Sequence, residues 1–310
     1  MNEAAATTSA AGASSVPPPP DRVEPALATE MRARRHPFAV VSLWLYELAA
    51  AYVIATPVHA WARAVWGGHP SGDEPLFRPG GYALLNWLDT EGAELGIVLR
   101  TSVLLLVLFG VLGHVVTAAL VAVLATRGGR RFSFALRVGA ASFFPLLAAG
   151  IITGAIEGFF LGVGLFVSST LDHRFQESHG DQRAFLVRLG VFGVFFVLTL
   201  AAGVVGDLCR VIIARNIALG TSDKPLRDGI VTAIRTARHK IGRAFVAWGW
   251  RSAIATALVV AGSMLADTTH GKGGGALWLL FFAHQAIILA RAALRTSWLA
   301  NALRLVDDPT

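Results

Sequence analysis

The chain of 310 residues is 54% hydrophobic and only 15% charged. Because soluble domains carry about 25% charged residues, this composition predicts a membrane protein. The single cysteine, Cys209, excludes an intramolecular disulfide framework. The net charge of +7 is concentrated in the connections on one side of the predicted membrane, so it indicates membrane orientation and anionic lipid rather than nucleic acid as a partner.

Residues 1–36 are predicted to form a disordered cytoplasmic tail. Residues 1–20 are mostly Ala, Ser, Thr, Gly and Pro, and they end in four consecutive prolines. The segment has neither the basic start nor the apolar core of a secretory signal. Two interpretations of the proline run stay open. It is either a polyproline II segment that docks a partner or a low-complexity leader, which is the commoner case.

Six segments are apolar and long enough to cross a bilayer core of about 30 Å as helices, which predicts an all-α polytopic membrane protein. They are residues 39–63, 101–125, 140–171, 186–213, 244–266 and 276–300. Arg and Lys are abundant before the first segment, between the second and third, and between the fourth and fifth. The positive-inside rule then predicts that both termini lie in the cytoplasm. The six-helix transmembrane domain covers residues 37–304, followed by a C-terminal tail over residues 305–310.

Two further helices are predicted outside the spans. Residues 81–88 are typical of a short helix lying on the outer surface. Residues 223–245 predict a basic amphipathic helix at the inner face, because apolar residues recur there at helical spacing. The recurring residues are Leu226, Ile230, Ile234, Ala237 and Ile241. Four basic residues of this helix are expected to contact anionic headgroups, with a protein- or nucleic-acid-docking surface as the alternative. They are Arg227, Arg235, Arg238 and Lys240.

Charged residues within the spans predict an inner-leaflet network of carboxylates and guanidinium groups. Its members are Glu47, Asp207, Arg210, Arg251 and Arg291. Ionisable groups in a span normally face the bundle interior and have partners, and Asp207 and Arg210 are three residues apart on one helix face. Two interpretations stay open: a set of clips that fix the register of the helices, which we favour because the signs nearly balance, and a polar vestibule.

Glu157 is expected near mid-membrane, with no basic residue close to it in its own helix. We expect its carboxyl group to be protonated by desolvation, hydrogen-bonded to His114 or a backbone carbonyl, or exposed to a water-filled cavity. A proton or cation relay would use Glu157 with His114 and His284. A hydrogen bond that simply ties two helices together is an equally good interpretation.

A stripe of glycines at four-residue spacing occupies the third span. Its members are Gly150, Gly154, Gly158 and Gly162. Glycine at this spacing removes side chains from one helix face and lets a neighbouring helix approach closely. The stripe is therefore predicted to be the packing centre of the bundle. Packing within the chain is sufficient to explain it, so oligomerisation need not be invoked.

The predicted outer loops hold the residues from which a metal site could assemble. They are His69, Asp73, Glu74, Asp172, His173, Glu177, His179, Asp181, Asp267 and His270. None has the i, i+4 histidine spacing on a helix that makes a zinc motif specific, and solvated loops share this composition. No phosphate-binding loop, nucleophile elbow or dinucleotide-binding turn is present in the sequence. No catalytic residue, metal or cofactor is predicted.

Residues 206–245 contain a span with the acidic–basic pair Asp207 and Arg210, then a basic amphipathic helix, then the start of another span. This arrangement resembles the bacterial membrane proteins grouped around the membrane domain of some glycerophosphodiester phosphodiesterases. The resemblance covers about 40 of the 310 residues. Because the phosphodiesterase domain has no counterpart in the sequence, the resemblance implies a six-span membrane protein without that activity.

Together these features favour a non-catalytic inner-membrane protein that organises or assists partners or lipids. The first alternative is a transporter or channel for a proton, ion or small solute that uses Glu157, His114, Asp207 and Arg210. The second alternative is a membrane-embedded enzyme with a metal site on its outer face. Membrane lipids with anionic headgroups are the expected partners, and a protein partner is left open.

Overall fold

The computed structural model describes residues 25–26, 30–31, 35–66, 92–127, 132–179, 181–269 and 274–308. Within these ranges the chain is all-helical, and six helices are long and apolar enough to cross a membrane. The predicted all-α class and six spans are thereby confirmed. The predicted outer helix (residues 81–88) and most of the predicted N-terminal tail lie outside the described residues.

The six helices are longer than the predicted spans. They are α1 (Pro37–Trp66), α2 (Gly92–Ala125), α3 (Phe132–His179), α4 (Asp181–Leu219), α5 (Pro225–Thr269) and α6 (Gly274–Asp307). At 1.5 Å per residue their lengths are about 45–72 Å, whereas a bilayer core is about 30 Å thick. Each helix therefore extends beyond the length needed to cross that core, and apolar composition alone marks only its central part.

The buried core lies towards one end of the bundle, where α1, α3 and α5 begin and α2, α4 and α6 end. We call this the packed end. The central helix there is α4, which contacts α2, α3, α5 and α6, whereas α1 contacts α2 and α6. The largest fully buried side chains are mostly on α4 and α6, and they include Leu208, Ile212, Ile213, Trp298, Leu299 and Leu303. Towards the opposite end, large apolar side chains on all six helices are exposed, as expected for surfaces solvated by lipid.

The described part of the predicted disordered tail is attached to the packed end. The Ala26 N–H donates to the carbonyl of Ala125 at the end of α2 (2.8 Å), and the Arg127 guanidinium pairs with the Glu30 carboxylate (2.8 Å). Met31 is buried in the core. A helix leaves its last carbonyl groups without intrahelical donors, so Ala26 satisfies one of them. Residues 25–26 and 30–31 thus make contacts with the bundle that composition does not predict.

The basic segment predicted over residues 223–245 is helical but is not a separate helix. It forms the first turns of α5 and continues directly into the fifth span. The preceding turn ends α4 at Gly220, whose φ is 61°. There the N–H groups of Gly220 and Thr221 donate to the carbonyls of Ile217 (3.3 Å) and Asn216 (3.0 Å). This pattern is a Schellman motif, in which a left-handed residue is best supplied by glycine.

The glycine stripe of α3 is not the packing centre of the described bundle. Among the described residues only Gly150 of the stripe meets a neighbour, since a Cβ built there would lie 2.9 Å from His114 Nε2. A Cβ on Gly154, Gly158 or Gly162 would lie within 4 Å of no atom in the described part of the chain. Close approach of α3 and α4 uses other glycines, each facing a side chain of the partner helix. Gly164 faces Phe195, Gly203 faces Glu157, and Gly206 faces Thr153.

This geometry predicts opposite outcomes for two alanine substitutions in α3. Gly164→Ala should destabilise the protein by about 1–3 kcal/mol, because the added Cβ would lie 2.6 Å from Phe195 Cβ and the helices must move apart. The matched variant Gly158→Ala adds the same methyl group in open space and should raise stability by up to about 1 kcal/mol, because alanine favours a helix more than glycine does. The check is tryptophan-detected thermal unfolding in detergent. Equal losses of stability in both variants would show that the glycine stripe of α3 is a packed face after all.

Candidate functional site

Asp207 of α4 is the centre of a buried polar cluster that joins α4 to α6. Its carboxylate accepts hydrogen bonds from Arg210 Nη1 (3.0 Å), from Arg295 Nη1 and Nη2 (2.8 and 3.1 Å) and from the indole Nε1 of Trp298 (2.9 Å). Asp207 is only 5% exposed. Charge-assisted hydrogen bonds of this kind are strong, and together they compensate the cost of burying the carboxylate.

Sequence reasoning found half of this cluster. It paired Asp207 with Arg210 from their i, i+3 spacing but missed Arg295 and Trp298 on α6. A signal for Arg295 was present, because it lies inside the predicted sixth span four residues after Arg291 and therefore follows it on the same helix face. Trp298 carried no comparable signal, because a tryptophan in an apolar span is ordinarily a packing residue.

A cavity of about 470 Å³ lies beside the cluster, between α1, α2, α4, α5 and α6. Its wall contains four arginines, one carboxylate and one histidine. These are Arg210, Arg251, Arg291, Arg295, Glu47 and His114. Four of the five members of the predicted charge network therefore line one cavity, and Asp207 is bonded to two of the lining arginines. The network surrounds a space rather than forming one continuous chain of ion pairs.

The remaining charged members differ in how they are held. Arg251 Nε donates to Ser297 Oγ (3.1 Å), its Nη1 donates to the Ala247 carbonyl, and its guanidinium lies 4.4 Å from the Trp250 ring centroid. Arg291 is exposed and forms no hydrogen bond or ion pair with the part of the chain that the structure describes. Glu47 interacts electrostatically with Arg291 and Arg295, but among the described residues no arginine nitrogen lies within 4.0 Å of its carboxylate.

Glu157, His114 and His284 lie in three different environments. Glu157 faces Gly203 between α3 and α4, whereas His114 faces Gly150 and the cavity. His284 Nδ1 lies 2.8 Å from the Leu280 carbonyl of its own helix, and its ring lies near Gly262 of α5. Within the described ranges no hydrogen bond joins any two of these three side chains. The helices therefore do not bring Glu157, His114 and His284 together into the proton or cation relay that the sequence left open.

The basic segment of α5 has three faces rather than two. The face packed into the core carries small residues, including Gly229, Ala233 and Ala244. Next to it, Ile234 and Ile241 of the predicted apolar stripe are 52% and 37% exposed. The third face carries Arg227, Arg235 and Arg238, all exposed.

Lys240 differs from the other predicted lipid-contact residues. It is 7% exposed, and its Nζ donates to the carbonyls of Leu305 (3.1 Å) and Asp308 (2.6 Å) at the end of α6. A lysine at a helix C-terminus satisfies free carbonyls and interacts favourably with the helix dipole. Lys240 therefore secures α6, and the expectation of a headgroup contact is corrected.

The predicted outer-face metal ligands cannot be placed. His69, Asp73, Glu74 and His270 lie outside the described residues, and the side chains of the others are not described either. Elsewhere, the described residues contain no group of three or more His, Cys, Asp or Glu side chains that could hold a metal ion.

Comparison of the chain with protein-family models, curated proteins and solved structures finds no match. The resemblance of residues 206–245 to the membrane proteins grouped around glycerophosphodiester phosphodiesterase membrane domains therefore stays a prediction. The residues of the cavity and of the basic face of α5 therefore carry the evidence for function.

The Asp207 cluster predicts a large stability effect for one isosteric substitution. Asp207→Asn removes the charge that Arg210 and Arg295 share, and breaking such a buried pair costs about 3–5 kcal/mol. Glu47→Gln is the matched control, because Glu47 forms no close ion pair with the described residues. We expect a much lower unfolding temperature in detergent for the first variant and a small change for the second. Comparable unfolding temperatures would show that the cluster does not hold α4 and α6 together.

Proposed function

We propose that this is a non-catalytic integral membrane protein of the bacterial inner membrane that organises or assists anionic lipids, with its packed end on the cytoplasmic side. The observation that carries the proposal is the three-faced segment at the start of α5. One face is packed on the core, one exposes isoleucines, and one exposes arginines. A helix of this kind has an apolar edge for acyl chains next to a basic edge for headgroups.

The distribution of charge supports the proposed orientation. Arg227, Arg235 and Arg238 are exposed near the packed end, and the predicted cytoplasmic connections carry most of the basic residues of the chain. Lysine and arginine are enriched in cytoplasmic connections, and the inner leaflet carries anionic lipid. The same residues therefore orient the protein and provide its attraction for anionic headgroups.

The core contacts of α5 support a fixed lipid-facing surface. Gly229 lies against Ile213 of α4, and Lys240 binds the end of α6. Because the segment is anchored on this face, its exposed isoleucines and arginines keep a constant position relative to the bundle. A mobile basic tail would attract anionic lipid too, but it would not present the apolar and basic edges in a fixed register.

Removal of the basic face tests the proposal. In the triple variant Arg227→Gln, Arg235→Gln and Arg238→Gln, each lost charge removes about 1 kcal/mol of attraction to an anionic surface, so apparent affinity should fall about hundredfold at low salt. The measurement is the number of phosphatidylglycerol molecules retained per protein in native mass spectrometry, at low and high salt. The matched control replaces three exposed arginines of the opposite end: Arg63, Arg100 and Arg183. Equal retention by the two triple variants would contradict the proposal.

Transport of a proton, ion or small solute is a second candidate, and the polar cavity among five helices is the observation that favours it. The described lining of the cavity includes His114 but not Glu157. A transport path through Glu157 would therefore need a connection beyond that lining.

A proteoliposome flux assay separates the two candidates. Under the proposed function, native protein and Glu157→Gln should both give background flux of protons, sodium and potassium. A measurable flux of the native protein that is lost in Glu157→Gln would favour transport and count against the accessory role. Empty liposomes and liposomes with Gly158→Ala provide the controls for leakage.

A further inference from the structure

The cavity contains more positive than negative charge. Its wall presents the guanidinium groups of Arg210, Arg251, Arg291 and Arg295. Against them stand two carboxylates, Glu47 in the wall and Asp207 behind it. With both carboxylates ionised and His114 neutral, the described groups leave an excess of two positive charges. Excess charge of one sign in a cleft attracts counter-ions, so this arrangement favours an anion.

Several nitrogen donors at the cavity are unused by the described protein. Arg210 Nε is buried without a hydrogen-bond partner in the described ranges, although its Nη1 is bonded to Asp207. Arg291 forms no bond with them, and Arg251 uses only part of its guanidinium. Buried donors are almost always satisfied in native proteins, by protein, water or ligand. Three arginines from three helices therefore bring donors that the described residues leave unused to the lining of one cavity.

We propose that this cavity binds the phosphate group of an anionic ligand, with Arg251 and Arg291 in contact with it. Arg210 and Arg295 are held in place by Asp207 and complete the positive lining. The planar fork of a guanidinium group matches the oxygens of phosphate in a bidentate manner, which a lysine does not reproduce. The volume of about 470 Å³ lies within the range of small-molecule sites.

The neutral part of the lining suits a phosphate that carries a small polar group. Ser252 and Thr117 add hydroxyl groups, and Trp248 and Leu294 add apolar surface. A headgroup such as glycerol phosphate combines these two kinds of contact. The proposal deepens the proposed function, on which it rests, because a protein that assists anionic lipids would recognise a headgroup at a defined site.

Two sources can supply the same chemistry. Arg291, which lines the cavity, is exposed at the bundle surface, and a lipid headgroup can contact it there. A soluble phosphate ester presents the same oxygens to the guanidinium groups without acyl chains.

Thermal-shift titration of the purified full chain tests the site. The probes are inorganic phosphate, glycerol 3-phosphate and dioleoylphosphatidylglycerol in mixed micelles. Sodium chloride of equal ionic strength and dioleoylphosphatidylcholine are the references. We expect saturable stabilisation by at least one phosphate probe. Stabilisation by a soluble probe indicates a soluble source, whereas stabilisation by the anionic lipid alone indicates a membrane source. Either result supports the cavity when Arg291→Gln weakens it, since the basic face of α5 also attracts anionic lipid.

Arg291→Gln is the decisive variant, because Arg291 forms no hydrogen bond or ion pair with the described residues and the fold should tolerate its loss. Loss of one charge-assisted contact should weaken binding about tenfold to hundredfold. Arg291→Lys, which keeps the charge without the fork, should bind with intermediate affinity. Arg63 is an exposed arginine remote from the cavity, so the variant Arg63→Gln should bind the phosphate probes like the native chain.

Two results would overturn the proposal: no saturable stabilisation of the native chain by any phosphate probe, or equal affinity in Arg291→Gln and Arg63→Gln. The native titration decides whether a site exists even if a variant folds poorly. The proposed function can fail separately. If the surface triple variant retains phosphatidylglycerol normally while Arg291→Gln loses phosphate binding, the lipid-surface role is wrong and the cavity site stands.

Discussion

The buried charge of Asp207 is the constraint on which the packed end depends. A carboxylate in this position requires cationic partners, and they come from its own helix through Arg210 and from α6 through Arg295. The indole N–H of Trp298 donates a further hydrogen bond to the same carboxylate. Because the partners belong to different helices, the register of α4 against α6 is fixed by electrostatics as well as by apolar packing. The same bonds orient two guanidinium groups at the cavity wall.

The rest of the packed end adds polar contacts at helix termini to this central cluster. Lys240 binds the last carbonyls of α6, Arg215 pairs with Asp307, and Ala26 satisfies a carbonyl of α2. Lipid provides no hydrophobic drive for helices to associate within a bilayer, so close packing and polar bonds must hold them. In the described chain such bonds are frequent at the packed end. The opposite end relies more on contacts within helix pairs, such as Gly164 against Phe195 and Gly262 against Ile287.

Features set by nearby residues of one helix could be predicted from the sequence, whereas features set by contacts between helices could not. Six spans follow from long apolar runs, and the contact of Asp207 with Arg210 follows from helical spacing. The identity of a packed face is different, because it depends on which helix lies opposite. Gly154 and Gly158 have the spacing of a packing motif but face no other described helix closely, whereas Gly206 faces Thr153. Lys240 looked like its exposed basic neighbours, and only the return of α6 beside α5 shows that it is buried.

The charge network was expected to be either a set of contacts that fix helix register or the lining of a polar vestibule. Each interpretation describes one side of the network. On the side of α4 the charges are paired, since Asp207 takes donors from two arginines and a tryptophan. On the cavity side Arg251 and Arg291 have no close carboxylate among the described residues. A network that served only as a clip would need no more cations than its carboxylates bind, and Arg251 and Arg291 exceed that number. Their position around an open volume supports the proposed anion site. An anion bound there would contact the arginines that Asp207 holds, and this would link the stability of the packed end to the binding of a ligand.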